Sequence, residues 1–154
     1  MYKWTYATKI GNVTIGASDH HITYLKTHDA CEGKFKETPL IQKAYGQLLE
    51  YLGVSRREFD LPFQLQGTDF QQRVWKTSCN IPYGTTTSYK DLAKTIGNLK
   101  AVRAVGAANG QNPIWIVVPC HRVIGSNGSL TGYGGGLPLK KKLLELESRY
   151  NEGH

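Results

Sequence analysis

Cys120 stands in the run Ile116-Val117-Val118-Pro119-Cys120-His121-Arg122-Val123-Ile124, a thiol set directly before an imidazole and a guanidinium. Cationic neighbours favour thiolate, the nucleophilic form of cysteine, so these residue types point to a sulfur that attacks an electrophile. Ile114 to Val118 is an apolar run rich in β-branched side chains, which predicts a short buried strand. Pro119 has no N–H to give and ends any sheet ladder, leaving the thiol at the tip of a rigid element. The competing reading is a buried structural cysteine, the commonest fate of a free thiol. His121 is the base nearest in sequence. In an extended segment, however, neighbours point to opposite faces, so adjacency alone does not bring its ring to the sulfur.

The elements that must hold this run fall into two groups, residues 1–66 and 67–154. In the first, Trp4, Tyr6 and Thr8 alternate with Thr5, Ala7 and Lys9, and Val13, Ile15 and Ala17 alternate after a turn at Gly11-Asn12. Ser18 to His21 makes a second turn before Ile22 and Tyr24, giving a three-stranded antiparallel meander. Ile41, Ala44, Tyr45, Leu48, Leu49 and Leu52 then define one face of a helix that ends at Gly53. Phe59 to Leu65 reads as a linker. The expected class is α/β: a small amino-terminal antiparallel sheet with a helix, followed by a mainly helical carboxy-terminal domain.

The second group opens with Thr68 or Asp69 as N-cap of a helix whose apolar face is Phe70, Val74 and Trp75. Ile81 to Gly84 is a turn. Ser88 caps a helix whose inward face is Tyr89, Leu92, Ala93 and Ile96, with Asp91 in the place of a capping-box glutamate. Gly97-Asn98 turns the chain into a second helix, Ala101 to Ala108, built on small residues, so the pair reads as a helix-turn-helix. Arg103 projects from that low surface. Asn109 and Asn112 lie in the connection to the cysteine run. Ser126 to Gly136 holds five glycines, Thr131 and Tyr133, and suits close approach of backbone to a flat ligand. In the helix Leu139 to Ser148, Leu139, Leu143 and Leu146 face inward, with Glu147 beside them.

The totals limit the class. The chain has 154 residues, a net charge of +7 and 40% hydrophobic residues, so it folds and tolerates a polyanionic partner. Three cysteines at unrelated spacings argue against a disulfide framework and for a reducing compartment. No run approaches the ~20 apolar residues of a membrane span, and no apolar signal core opens the chain. The expectation is a cytoplasmic protein with no membrane contact, nucleoid-associated if bacterial. His20, His21, His28 and Cys31 lie close in sequence, but their spacing fits no zinc pattern.

Several of these runs, in order, resemble one family. Gly67-Thr68-Asp69-Phe70-Gln71 with Val74-Trp75, Thr85 to Tyr89, Arg103-Ala104-Val105-Gly106 and Pro119-Cys120-His121-Arg122-Val123 are similar to motifs of the O6-alkylguanine-DNA alkyltransferases. The resemblance is strong over residues 67–147 and weak over 1–66. It implies DNA repair by stoichiometric, irreversible transfer of an alkyl group from O6-alkylguanine, and from O4-alkylthymine, to Cys120. The resemblance also implies a relay from Glu147 through His121 and a water to the thiol, with Asn112 holding the connecting loop. Arg103 would fill the gap left by a flipped base from the minor groove. Tyr89 would press on the adjoining phosphate and hydrogen-bond the guanine. Ala104, Gly106, Ser88 and Arg122 complete the DNA-facing set. The base pocket would comprise Val123, Tyr133, Gly134, Asn109 and Cys120, with the carbonyls of Cys120 and Val123 on the guanine amine. Many relatives have Ser where Gly134 stands, which predicts a looser loop here. No cofactor or metal is implied, and the partner is lesion-bearing duplex DNA met by a monomer. A cysteine hydrolase, and a helix-turn-helix regulator or alkyltransferase-like lesion binder, remain as rivals: the hydrolase needs a base in contact with sulfur and an oxyanion hole, and the lesion binders lack the reactive cysteine.

Overall fold

The structure, a computed structural model, describes residues 1–130 and 133–152, with side chains through Arg149. Thr131 of the glycine-rich loop lies outside the described residues. The chain divides into two compact units, residues 1–66 and 67–154.

In the first unit, β1 (Tyr2–Thr8), β2 (Gly11–Ala17) and β3 (Ile22–Lys26) form the antiparallel meander that the alternation predicts. Its first turn centres on Lys9 and Ile10 rather than Gly11-Asn12, because Thr8 already pairs with Gly11. A two-residue strand, β4 (Lys34–Phe35), adds in parallel to the outer edge of β1, giving the order β3-β2-β1-β4. Helix α1 (Pro39–Leu52) starts where Thr38 Oγ1 accepts from the Ile41 N–H. Its buried stripe is Ile41, Ala44, Gln47, Leu48, Tyr51 and Leu52, whereas Leu49, expected inside, is 43% exposed. Gln47 is tolerated there because its amide pairs with both backbone groups of Asp60, at 3.0 and 2.9 Å. The helix does stop at Gly53, but the left-handed residue is Val54, at φ +63°. The supposed linker is tied down: Ile22 N donates to Pro62 O and Gln64 N to Ile22 O, at 2.8 and 2.9 Å. Among the described residues, no group of three or more His, Cys, Asp or Glu is arranged to hold a metal ion.

The second unit is built on helices. Thr68 and Gln71 form a reciprocal capping box at the start of α2 (Asp69–Ser78). Helix α3 (Tyr89–Ile96) is capped by Ser88 Oγ and closed by Gly97 in the left-handed region, φ +93°. A single 3-10 turn, Leu99–Ala101, leads into α4 (Val102–Gly110), completing the helix-turn-helix. The Trp75 indole donates to Ala108 O at 2.8 Å and locks α2 to α4. Strand β5 (Thr87–Ser88) pairs in parallel with β6 (Val123–Ile124), so the first residues of α3 are set beside the segment that follows Cys120. Helix α5 (Leu137–Glu152) closes the unit.

The expected strand at Ile114–Val118 is instead a tight turn. Ile116 adopts φ +75°, with Val117 N donating to Trp115 O at 2.8 Å, and Val118 N reaches Ile114 O at 3.1 Å. That γ-turn geometry is strained for a β-branched residue. Every residue but Val117 is buried, as the composition requires. The backbone finds its partners in Asn112, whose Oδ1 accepts from Ile114 N at 2.9 Å and whose Nδ2 donates to Val118 O at 3.0 Å. One side-chain amide thus takes the place of a neighbouring strand.

Thr68→Ala removes one half of the α2 capping box. It is expected to lower stability by about 1 kcal/mol, read as a shift in urea midpoint at unchanged slope.

Candidate active site

Pro119, at φ −81° and ψ 56°, makes a second compact turn in which Cys120 N donates to Val118 O at 2.8 Å. Cys120, His121 and Arg122 then form one turn of 3-10 helix, with all three side chains buried. In this winding, unlike in a strand, successive side chains fan out by about a third of a turn. His121 and Arg122 therefore both reach α5 while Cys120 faces elsewhere.

Glu147 is the hub. Its carboxylate, 1% exposed, accepts from His121 Nε2 at 2.6 Å, Arg122 Nε at 2.8 Å, Arg122 NH2 at 3.0 Å and the Gly84 N–H at 3.1 Å. Burial alone would raise its pKa, but the His121 hydrogen bond and the Arg122 guanidinium win and hold it down at about 2. Arg122 also donates to Ile81 O at 2.8 Å and lies over the Tyr83 ring, its guanidinium carbon 5.4 Å from the centroid. The turn Ile81 to Gly84 thereby becomes part of the site. Arg122 was expected on DNA; with its guanidinium spent on Glu147 and Ile81, and only 7% exposed, it is an internal clamp.

Burial dominates the two groups nearest the chemistry. It pushes the Cys120 thiol well above the usual range, assisted by Cys79; Ser78, Lys140 and Asn112 pull the other way without reversing it. The adjacent cations therefore do not give a resting thiolate, contrary to the expectation from sequence, because a fully buried sulfur loses more solvation than those cations return. Burial also lowers the His121 pKa, against the raising effect of Glu147, so the ring is neutral at pH 7. With Nε2–H pointed at the carboxylate, the basic lone pair resides on Nδ1.

Two residues that pattern reading passed over sit against this centre. Lys140 is fully buried; its ammonium donates to Val123 O and, at 3.3 Å, to Tyr89 Oη, and lies 5.4 Å from the Tyr89 ring centroid. Burial lowers its pKa to about 8, and the nearby Cys120 offsets part of that. Ser78, at the end of α2, is fully buried, with its hydroxyl within hydrogen-bonding reach of the Cys120 sulfur and donating to Val74 O at 2.9 Å. The leucines of α5 conceal Lys140: the fully buried stripe is Lys140, Leu143 and Glu147, while Leu139 and Leu146 are half-buried.

The other expected residues fall on two sides of the thiol. Asn109 Nδ2 donates to Cys120 O at 3.1 Å, and the Asn112 side chain reaches the Cys120 sulfur as well as its own turn. Tyr133 is buried, 5.7 Å from the Trp115 ring; burial pushes its hydroxyl pKa well above the usual range, and the nearby Cys120 and Glu147 add to the rise. A Cβ on Gly134 would lie 2.6 Å from Gly110 O, so this loop packs backbone against backbone and is tighter, not looser, for lacking a side chain. The two carbonyls expected to face the guanine amine are already engaged: Cys120 O accepts from Asn109 and from Val123 N, and Val123 O from Lys140. On the outer side of α4, Arg103, Ala104 and Ala107 are exposed and Gly106 is half-buried beside the Tyr89 ring. Ser88 is half-buried, its oxygen accepting from Asp91 N at 3.0 Å.

Comparison with known proteins gives the same assignment along the whole chain. Residues 69–149 match the family model described as "6-O-methylguanine DNA methyltransferase, DNA binding domain", and residues 1–65 that described as "6-O-methylguanine DNA methyltransferase, ribonuclease-like domain". The chain is 47% identical over 148 residues to the methylated-DNA–protein-cysteine methyltransferase of Mycobacterium tuberculosis, covering 93% of this chain and 90% of that protein. It is 42% identical over 153 residues to that of Methanosarcina barkeri, covering 96% and 97% respectively. The crystal structure of M. tuberculosis OGT in complex with DNA superposes with a TM-score of 0.91 at 45% identity, over 97% of this chain and 94% of that one.

A carboxylate whose folded pKa is depressed from its ordinary 4.5 to about 2 stabilises fully above 4.5 and loses that contribution as pH falls toward 2. Wild type should therefore lose more stability than Glu147→Gln between those limits, measured as urea midpoints across the acid range. Parallel declines of the two proteins would show that Glu147 does not titrate there.

Proposed function

The chain belongs to the 6-O-methylguanine DNA methyltransferase family, whose work is DNA repair by alkyl transfer, and we propose that it acts once per molecule, taking the alkyl group of an extruded O6-alkylguanine irreversibly onto Cys120. The observation that carries this reading is the buried pair of Glu147 with His121, which lies in the same 3-10 turn as the fully buried Cys120 thiol.

A neutral thiol is a poor nucleophile, so a base must act as substrate docks. His121 Nδ1 takes the Cys120 proton, through a water in the manner of the family. The imidazolium so formed lies 2.6 Å from a carboxylate already anionic and already oriented, which lowers the energy of the charge separation. The Lys140 ammonium lies close enough to favour the thiolate. Sulfur then attacks the alkyl carbon in line: the S–C bond forms as the C–O6 bond breaks, and the electron pair leaves on the guanine oxygen. The purine takes a proton from Tyr89, whose hydroxyl is held by Lys140. The product is a thioether, which water does not cleave, so the acceptor is not regenerated. A cysteine hydrolase would form an acyl intermediate and turn over.

Access to O6 requires the base to leave the stack, at a cost of a few kcal/mol. The exposed Arg103 on a surface of alanine and glycine is suited to the vacated space, and the net charge of +7 to the phosphates around it. The DNA held by the M. tuberculosis relative supports duplex DNA as partner. The amino-terminal unit carries no part of the site described and is read as structural. The protein is taken to act as a monomer.

Mass spectrometry of the intact protein after exposure to methylated duplex DNA should show one added methylene mass per chain, absent in Cys120→Ala, while that variant still retards DNA. Transfer by Cys120→Ala would overturn the assignment. Arg103→Ala should slow repair of duplex DNA tenfold or more yet leave reaction with a free O6-alkylguanine base within about twofold, since only the duplex needs a wedge. Equal losses on both would refute that role.

A further inference from the structure

Three carbonyl-type acceptors belong to the cysteine segment and the side chain bonded to it: Cys120 O, Val123 O and Asn109 Oδ1. The first already accepts from Asn109 Nδ2 and Val123 N, and the second from the Lys140 ammonium. Asn109 Oδ1 is buried, in a residue 1% exposed, and has no hydrogen-bond partner among the described residues. The amide cannot be turned over to relieve this. Nδ2 must face Cys120 O, since the reverse would set two acceptors against each other at 3.1 Å. An acceptor buried without a donor is destabilising, and such atoms in native proteins have a reason. Tyr133 Oη is a second buried polar atom lacking a partner, but a hydroxyl both donates and accepts and so selects little. An amide oxygen only accepts.

We propose that Asn109 is a specificity-determining residue, its Oδ1 receiving the exocyclic 2-amino group of the extruded lesion; this rests on the reading of Cys120 as acceptor of alkyl groups from guanine. The chemistry of the lesion supports the match. Alkylation at O6 removes the N1 proton, so the 2-amino group is the one N–H donor left on the base. O4-alkylthymine has none. A guanine lesion therefore satisfies the orphaned oxygen, and a thymine lesion leaves it buried and unpaired. The position in the fold fits this use: Asn109 lies in the last turn of α4, the helix that presents Arg103, and is followed by Gly110, whose carbonyl packs against Gly134 of the loop that also carries Tyr133. One side chain thus joins the wedge helix, the nucleophile's backbone and the pocket loop.

The test compares single-turnover rates on two duplexes, one with O6-methylguanine and one with O6-methylhypoxanthine, which carries the same methyl group but no 2-amino group. Wild type should prefer the first by about tenfold. In Asn109→Ala the preference should fall to within twofold, mainly by loss on the guanine lesion. Loss of the bond to Cys120 O slows both substrates alike and cancels in the ratio. An unchanged ratio in the variant overturns the proposal. So do equal rates in wild type, a comparison that holds even if the variant does not fold. If wild type takes no methyl from O6-methylguanine at all, the reading of Cys120 fails as well, and that outcome is distinct from a ratio of one.

Discussion

A carboxylate with almost no contact with water is stable only if donors replace the water it has lost. Glu147 has four: two from Arg122, one from His121 and one from the Gly84 backbone. Each comes from a different stretch of chain or a different atom of the 3-10 turn, so this one desolvated charge ties α5, the Ile81–Gly84 turn and the cysteine segment into one geometry. Removing a partner from such a buried pair typically costs about 3–5 kcal/mol, enough to keep these segments in register. Burial decides the protonation of His121: it outweighs the raising effect of Glu147, so the imidazole stays neutral and keeps its basic lone pair.

Burial of the sulfur follows from the same packing and sets the chemical problem. In water a thiol beside cations would ionise readily; here it faces Ser78, Asn112 and Lys140 in a dry site, and the neutral form wins. The proposed transfer therefore needs a base to take the thiol proton first, and a neutral sulfur is meanwhile less open to oxidants than a thiolate would be.

Lys140 and Asn112 show how buried polar groups make such a site specific. The Lys140 ammonium joins Tyr89 at the start of α3 to Val123, three residues after Cys120. Asn112 supplies the backbone of a strained turn with the hydrogen bonds a strand would have received. Each fixes the place of a segment next to the thiol.

That Cys120, His121 and Glu147 belong together came from the family resemblance, whereas periodicity and motif spacing were enough to read the meander, α1 through α4 and the two caps at Thr68 and Ser88. These rest on local rules: alternation, a 3.6-residue repeat, a side chain capping its own helix. The turn at Ile114–Val118 was not legible, since β-branched apolar residues report burial and are silent on whether a strand or an amide side chain satisfies the backbone. The inward stripe of α5 was misread because leucines mark the apolar face, while among its described side chains two of the three fully buried ones are charged and gain their place from distant partners. The role of Arg122 inverted for the same reason. An arginine beside a reactive cysteine reads as a surface cation until the fold brings a carboxylate to it from 25 residues away. Sequence by itself named Cys120 and its neighbours as the candidate groups; only the tertiary structure decided which of them are charged, because the free energy of a charge depends on the water and partners around it, and those are assembled from across the chain.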